Sequence, residues 1–177
     1  MPDPAASSAA ATLATKNDIA QAEKWNFPIV LLILLAVFGS LAAAAMPLLL
    51  GICTVAVTMG LVFLLSMHMT MSVFVTSTVS MFGIAVAIDY SLFIISRFRY
   101  ERQAGREKLE AITVASNTTG RAVFYAGITV VVSLAGMALT DNPIFIALAL
   151  GVIFVVLVAI VGSLTFLPAV LSVLGDN

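Results

Sequence analysis

The sequence predicts an all-α integral membrane protein in which five hydrophobic helices form a half-bundle. Hydrophobic residues make up 62% of the 177 residues and charged residues only 10%, against about 25% charged in ordinary soluble domains. A soluble fold of this size needs a polar surface, and the chain has too few polar side chains to cover one. Its apolar residues also fall into five runs, each close to the roughly 20 residues that a helix needs to cross a bilayer. The lipid bilayer is therefore the expected solvent and the first expected partner.

Residues 1–24 precede the first apolar run and are rich in Ala, Ser, Thr and Pro. They lack the charged start and the apolar core of a signal peptide, and we expect a flexible leader outside the membrane. Trp25 follows directly, where an indole ring can anchor a helix at the membrane surface. The predicted transmembrane domain therefore covers residues 25–175.

Five predicted spans follow from the apolar runs. Met46 and Pro47 separate the first two, because proline suits the first turn of a new helix, where its missing N–H matters least. A polar connection containing His68 precedes the third span, and Asp141 opens a sharp turn before the fifth. The predicted spans are residues 27–45, 48–65, 73–96, 122–139 and 144–167.

The basic residues set the expected orientation. Six of the eight Lys and Arg side chains flank the third and fourth spans, and cytoplasmic loops carry such an excess. The connection 97–121 should therefore be cytoplasmic, with the C-terminus in the cytoplasm and the N-terminus outside the plasma (inner) membrane. Since Lys16 and Lys24 would then lie outside, we expect a further transmembrane helix to precede this chain. The basic residues of the cytoplasmic connection are Arg97, Arg99, Arg102, Arg106, Lys108 and Arg121.

Part of this connection has two interpretations. Leu109, Ile112 and either Ala115 or Ser116 fall on one helical stripe, which is typical of a short amphipathic helix lying at the inner membrane surface. The charges of such a helix would attract anionic lipid. In the alternative interpretation, the stretch is a solvated charged face without a ligand.

Several classes of site are not expected. A single cysteine, Cys53, cannot form an intrachain disulfide, and one cysteine with one histidine offers no cluster with metal-ligand spacing. We therefore expect no metal site and no cofactor. The sequence contains no basic tract interleaved with aromatic residues, so nucleic acid is not an expected partner.

Asp89 is the one ionisable Asp, Glu, Lys, Arg or His deep within a predicted span. It precedes Arg97 by eight residues, which places it about 12 Å along a helix from the inner boundary. A charged aspartate near the bilayer centre costs about 2.5–3.5 kcal/mol, and such residues usually face a bundle interior or an aqueous cavity. Burial without a cationic partner favours the neutral carboxylic acid. Asp89 is therefore suited to loading and unloading a proton.

Tyr90 follows Asp89 directly, and adjacent residues on a helix point about 100° apart. The two side chains should therefore address different neighbours. Gly83 and Ala87 form a small-xxx-small pair that lets another helix approach the backbone. The apolar neighbours of Asp89 on its own helix are Phe82, Val86 and Phe93.

The residues leave two roles open for Asp89, and both remain at this stage. It couples protons or ions to transport, or it is a polar staple in a non-transporting half-bundle that serves as an assembly or scaffold module. An intramembrane hydrolase is disfavoured, because His68 is predicted near the opposite membrane face from Asp89, so that Ser, His and Asp side chains cannot form a nucleophile-base pair. We therefore expect no enzyme.

The segment from Gly83 to Arg99, GIAVAIDYSLFIISRFR, resembles the fourth membrane helix of MMPL transporters, a family of the resistance-nodulation-division (RND) superfamily. Supporting features are residues 119–123, TGRAV, at the entry to the next helix, and residues 167–169, LPA, near the end of the last. The resemblance covers roughly residues 18–175 and corresponds to helices two to six of such a transporter. It implies that the half-bundle resembles one repeat of the RND membrane domain.

The resemblance also implies a function and partners. These transporters export lipids or other hydrophobic molecules, driven by the proton-motive force, with protons as the coupling ion. Asp89 and Tyr90 would then be one half of a proton relay whose other half lies on a second repeat. That second repeat is not in this sequence, so the expected partner of Asp89 is either the missing repeat or another copy of the chain.

Overall fold

The computed structural model describes Lys24 and residues 28–36, 41–67 and 73–174. Within these residues the secondary structure is helical and contains no strand, which confirms the predicted all-α fold class. We label the helical residues 28–36 α1. The remaining elements are α2 (Leu41–Ser66), α3 (Val73–Gln103), α4 (Lys108–Ala135), a 3₁₀ turn (Gly136–Leu139) and α5 (Pro143–Leu174).

The chain divides into two compact units, Met1–Ala44 and Ala45–Asn177. In the first unit, the structure describes α1 and the first turn of α2. The predicted first span, 27–45, lies partly outside the described residues. The second unit contains the rest of α2 and all of α3, α4 and α5.

Four helices among the described residues are long and apolar enough to cross a membrane. Large apolar side chains remain exposed along them, Met81 and Val132 among them, as expected for surfaces that face lipid rather than water. The protein is therefore a multi-pass membrane protein. The four candidate spans are Ala43–Ser66, Phe74–Gln103, Lys108–Ala135 and Pro143–Val173.

The second helix begins earlier than the sequence suggested. We predicted a break at Met46 and Pro47, but α2 starts at Leu41 and continues through Pro47. The residues before the proline are mostly alanine, the strongest helix former. Within a membrane helix, neighbouring helices and local adjustment can satisfy the carbonyl that a proline leaves unpaired. The break between the first two spans therefore does not fall at Pro47.

The third and fourth helices form a hairpin with a very short connection. α3 continues to Gln103 and α4 begins at Lys108, so that only residues 104–107 lie between them. The suggested separate amphipathic helix at the membrane surface is wrong, because its residues extend the two long helices instead. Of its predicted stripe, Ile112 and Ala115 are buried, whereas Leu109 is exposed.

The hairpin turns at Gly105, whose φ of 88° lies in the left-handed region that glycine adopts without a Cβ penalty. Its amide donates to the carbonyl of Arg102, and the amide of Arg106 donates to the carbonyl of Glu101. This pair of hydrogen bonds is the Schellman pattern that ends many helices. It fixes where α3 stops.

Within the second unit, α3, α4 and α5 each pack against the other two. Glycines allow close approach at several crossings. A Cβ on Gly151 of α5 would lie 2.8 Å from a methyl of Val75, and one on Gly120 of α4 would lie 2.8 Å from Leu164. Small residues at helix crossings are typical of membrane bundles, where packing replaces the hydrophobic effect.

Candidate functional site

Asp89 and Tyr90 lie near the middle of α3 and face different surroundings. The Asp89 side chain is exposed at the surface of the described helices, whereas Tyr90 is only 8% exposed. This is the divergence expected from the 100° step between neighbouring residues of a helix. The two groups therefore do not share one pocket within this chain.

Tyr90 is inserted where α3, α4 and α5 meet. Its hydroxyl oxygen lies 3.1 Å from the position that a Cβ on Gly127 would occupy. That same position is 2.3 Å from Cδ1 of Ile160 on α5. Any side chain at residue 127 would therefore displace Ile160 or crowd the phenol, so glycine is required for this packing.

Asp89 lies on an outward, largely apolar stripe of α3. Phe82 and Phe93, about two turns and one turn away on the same side, are 47% and 57% exposed, and Ser96 continues the exposed stripe. A carboxylate facing lipid at this depth would cost about 2.5–3.5 kcal/mol. This stripe, which we call the Asp89 face, therefore needs a protein partner or an aqueous cavity beside it in the membrane.

Gly83 and Ala87 lie on the inward side of α3 and are buried. A Cβ on Gly83 would lie 2.7 Å from a methyl of Val55 on α2 and 3.8 Å from one of Val155 on α5. The small residues thus seat α3 against the other helices of its own unit. They lie on the other side of α3 from the Asp89 face, which no side chain of this pair covers.

A chain of ion pairs crosses the hairpin at the far end of α3. Glu101 is only 4% exposed, and its carboxylate pairs with Nη2 of Arg97 at 2.6 Å and with Nε of Arg106 at 2.7 Å. Arg106 also pairs with Glu110 on α4. The hydrogen bonds that Arg106 donates to the two carboxylates, chiefly the one to Glu101, raise the pKa of Arg106 above its usual value. The network ties the end of α3 to the start of α4.

The other basic residues of the predicted cytoplasmic connection take separate positions. Arg97 also lies over the ring of Tyr100, 5.3 Å from its centre, and Nη1 of Arg102 donates to the carbonyl of Arg106 at 3.1 Å. Arg99 is half-buried on α3, and Arg121 is exposed on α4. Lys108 is the first residue of α4.

In the described part of the chain, no three His, Cys, Asp or Glu side chains converge as metal ligands. His68 lies outside the described residues. Near the middle of α3, the described residues place one carboxylate, Asp89, beside one phenol, Tyr90.

Comparison with known proteins identifies the family of this chain. The sequence profile described as the MMPL family matches residues 3–177, almost the whole chain. The chain belongs to the MMPL family.

The relatives of this MMPL chain include named transporters. A Mycolicibacterium smegmatis protein named mycolic acid-containing lipids exporter MmpL11 is 64% identical over 167 residues, which are 94% of this chain and 18% of that protein. Heme uptake protein MmpL11 of Mycobacterium tuberculosis is 59% identical over 165 residues, covering 93% of this chain and 17% of the relative. Trehalose monomycolate exporter MmpL3 of the same species is 33% identical over 174 residues, covering 98% and 18%.

The MMPL chain therefore spans less than a fifth of the length of each of these relatives. Its family consists, by these names, of membrane transporters that include lipid exporters.

Sequence reasoning missed the role of Glu101. The signal was present, because Arg97 and Glu101 are four residues apart, the spacing of helical ion pairs. The second partner, Arg106, follows the helix end and reaches Glu101 only because the chain reverses at Gly105. The excess of basic residues in 97–121 predicts a cytoplasmic connection but does not indicate which acidic residue the arginines pair with.

Proposed function

We propose that this MMPL chain forms the proton-coupling half of a membrane domain that exports lipids or other hydrophobic molecules, driven by the proton-motive force. The observation that carries the proposal is the placement of Asp89, an exposed carboxylate on an otherwise apolar face in the middle of a membrane helix. Such residues in membrane proteins mark proton or ion pathways.

The proposed coupling follows from the charge of Asp89. As an anion it needs a polar or aqueous neighbour, and as a neutral acid it can pack against apolar groups at far lower cost. Taking up and releasing a proton therefore changes how favourably the Asp89 face packs against its partner. The partner is the second repeat of the transporter or another copy of this chain.

Tyr90 would serve the same relay from the inward side. A phenol both donates and accepts a hydrogen bond, and Tyr90 is held at the junction of three helices. In this position Tyr90 can couple a change in the charge of Asp89 to the packing of α4 and α5. Gly127 and Ile160 would act as positioning residues for the phenol.

The proposed location is the plasma (inner) membrane, with the hairpin between α3 and α4 in the cytoplasm. Arg97, Arg99, Arg102 and Arg106 lie at the end of α3 or in the connection after it, and a cytoplasmic position matches the usual excess of basic residues there. This orientation leaves the N-terminus outside and the C-terminus inside.

The proposed substrate class rests on relatives. One relative is named as an exporter of mycolic acid-containing lipids and another as an exporter of trehalose monomycolate. A third, of similar identity to the first, is named as a heme uptake protein. Lipid export is our proposal, and heme is the competing cargo that the experiment must include.

A non-transporting scaffold is the second candidate. A polar group on an apolar helix face can also fix helix association by a hydrogen bond across the interface. The exposure of Asp89 fits that role as well, and in that case an amide at this position should preserve function.

The experiment uses a chimaera in which this chain replaces the corresponding segment of the Mycolicibacterium smegmatis relative, in cells lacking that relative. Restored export of mycolic acid-containing lipids supports the proposed cargo, whereas restored heme use without lipid export would overturn it. Asp89→Asn should abolish export, and Glu107→Gln, an acid-to-amide change at an exposed residue of the hairpin, should leave it intact. Full export by the Asp89→Asn chimaera would favour the scaffold.

A further inference from the structure

A small pocket lies between α4 and α5, and neither Asp89 nor Tyr90 is among its lining residues. Its volume is about 210 Å³. It is lined by Ser116, Gly120, Arg121, Phe124, Tyr125 and Leu164.

One end of the pocket is polar and incompletely paired. The Ser116 hydroxyl is buried and has no hydrogen-bond partner among the described residues. Buried hydroxyls are usually paired, since leaving one unpaired costs free energy. The pocket therefore presents a hydroxyl that a bound group could satisfy.

Arg121 contributes a cation to the same pocket. Unlike Arg97 and Arg106, which share Glu101, Arg121 makes no ion pair with any residue that the structure describes. A guanidinium presents several donors in a planar fork that matches the oxygen atoms of a phosphate. Hydroxyl and guanidinium together suit an anionic oxygen group.

The other end of the pocket is apolar. Phe124 and Tyr125 lie a turn beyond Arg121, with their rings edge to face at 5.8 Å, and Leu164 of α5 closes the side. Ser116 precedes Arg121 by five residues, about 7.5 Å along the helix. In the proposed orientation Arg121 is at the inner membrane boundary, so the pocket runs from the headgroup layer toward the hydrocarbon.

We propose that this pocket binds the phosphate of an anionic phospholipid from the inner leaflet. The phosphate pairs with Arg121 and accepts a hydrogen bond from the Ser116 hydroxyl. The first apolar carbons of the lipid lie against Phe124 and Leu164. A volume of about 210 Å³ holds the headgroup region only, so the acyl chains lie outside along the helices. The polar-to-apolar gradient favours a lipid over free phosphate, and the lining of the site includes neither Asp89 nor Tyr90.

The test measures lipid binding to the purified chain in detergent by native mass spectrometry, with phosphatidylglycerol and phosphatidylcholine as probes. Phosphatidylglycerol should bind more tightly than phosphatidylcholine. Arg121→Gln should weaken its binding about fivefold or more, the loss expected for one basic residue at an anionic surface. Ser116→Ala should weaken it by a smaller factor.

Two control variants distinguish lipid binding in this pocket from general electrostatic attraction between the lipid and the helix. Lys108→Gln removes a charge from the same helix outside the pocket, and Thr118→Ala removes a nearby exposed hydroxyl that bonds to Val114. Both should bind phosphatidylglycerol as the unmodified chain does.

Equal losses in Arg121→Gln and Lys108→Gln, or equal binding of the two lipids, would overturn the proposal. Displacement of the lipid by millimolar inorganic phosphate would also overturn it, because it would identify free phosphate as the ligand. Circular dichroism of each variant confirms that it is folded.

Discussion

At the scale of single residues, the surroundings of Tyr90 depend on a glycine from another helix. Gly127 leaves room for both the Tyr90 hydroxyl and the Ile160 side chain, and a methyl group at this position would overlap Ile160 Cδ1 at 2.3 Å. The sequence alone does not show which neighbour Gly127 serves. That neighbour is set by how α4 and α5 cross α3, which is a property of the folded chain.

Gly127→Ala should therefore destabilise the protein by about 1–3 kcal/mol, the usual cost of overpacking a core. Thermal unfolding in detergent measures the change. Gly60→Ala is the matched control, because nothing lies within 4 Å of a Cβ there, and alanine favours a helix over glycine. Gly60→Ala should leave stability unchanged or slightly raised.

A double variant tests the mechanism of this loss. In an Ile160→Ala background the methyl of Gly127→Ala no longer meets Ile160, and its close neighbour is the Tyr90 hydroxyl oxygen at 3.1 Å. The destabilisation caused by Gly127→Ala should then be smaller than in the unmodified chain, since residues in contact are energetically coupled. Strictly additive losses would show that the contact does not govern packing.

At the scale of elements, the apolar runs were enough to predict three helices: α3, the central part of α4, and α5. Long hydrophobic stretches leave few alternatives to membrane helices. They failed where helix ends are decided by local hydrogen bonds. The proline rule placed a break at Pro47 that α2 does not have. The basic residues within 97–121 predicted a cytoplasmic connection, whereas the structure has a helical hairpin closed by Glu101. Divergence of Asp89 and Tyr90 was predictable, because it follows from helix geometry alone.

Glu101→Gln should loosen the hairpin, because it removes a buried carboxylate shared by Arg97 and Arg106. We expect a loss of about 1–3 kcal/mol, below the value for a fully buried pair because both arginines are partly exposed. Hydrogen exchange of the amides of residues 101–107 should accelerate. Glu107→Gln should leave the exchange unchanged, and an equal acceleration in both variants would contradict the role of Glu101.

The contribution of Arg106 to the stability of the hairpin should persist at moderately alkaline pH. Its pKa is raised, chiefly by the hydrogen bond with Glu101. A raised pKa contributes stability that is present below the unfolded value and is lost only as pH rises through the folded one. For an arginine that window lies beyond about pH 12. Hydrogen exchange of residues 101–107, corrected for intrinsic rates, should therefore give the same protection at pH 7 and pH 9.

At the scale of the whole molecule, the Asp89 face is the feature that the described helices leave incomplete. Gly83 and Ala87 bind α3 to its own unit, while Asp89, Phe82 and Phe93 face outward. The sequence predicted a missing partner from the family resemblance, and the exposure of these side chains supports the same proposal.

The orientation of the molecule can be tested with single cysteines. In a Cys53→Ser background, a cysteine at Ala104 lies in the hairpin connection, and one at Asp141 lies in the turn before α5. We expect a membrane-impermeant maleimide added outside intact cells to label Asp141→Cys and not Ala104→Cys. The opposite pattern would invert the proposed topology.

Proton movement is the most direct test of the central claim. The chimaera that carries this chain, reconstituted in vesicles with an internal pH-sensitive dye, should move protons along an imposed gradient in the presence of its lipid substrate. Asp89→Asn should reduce that flux to the level of empty vesicles, and Glu107→Gln should leave it unchanged. Undiminished flux in the Asp89→Asn chimaera would contradict the account, because it would show that protons cross without this carboxylate.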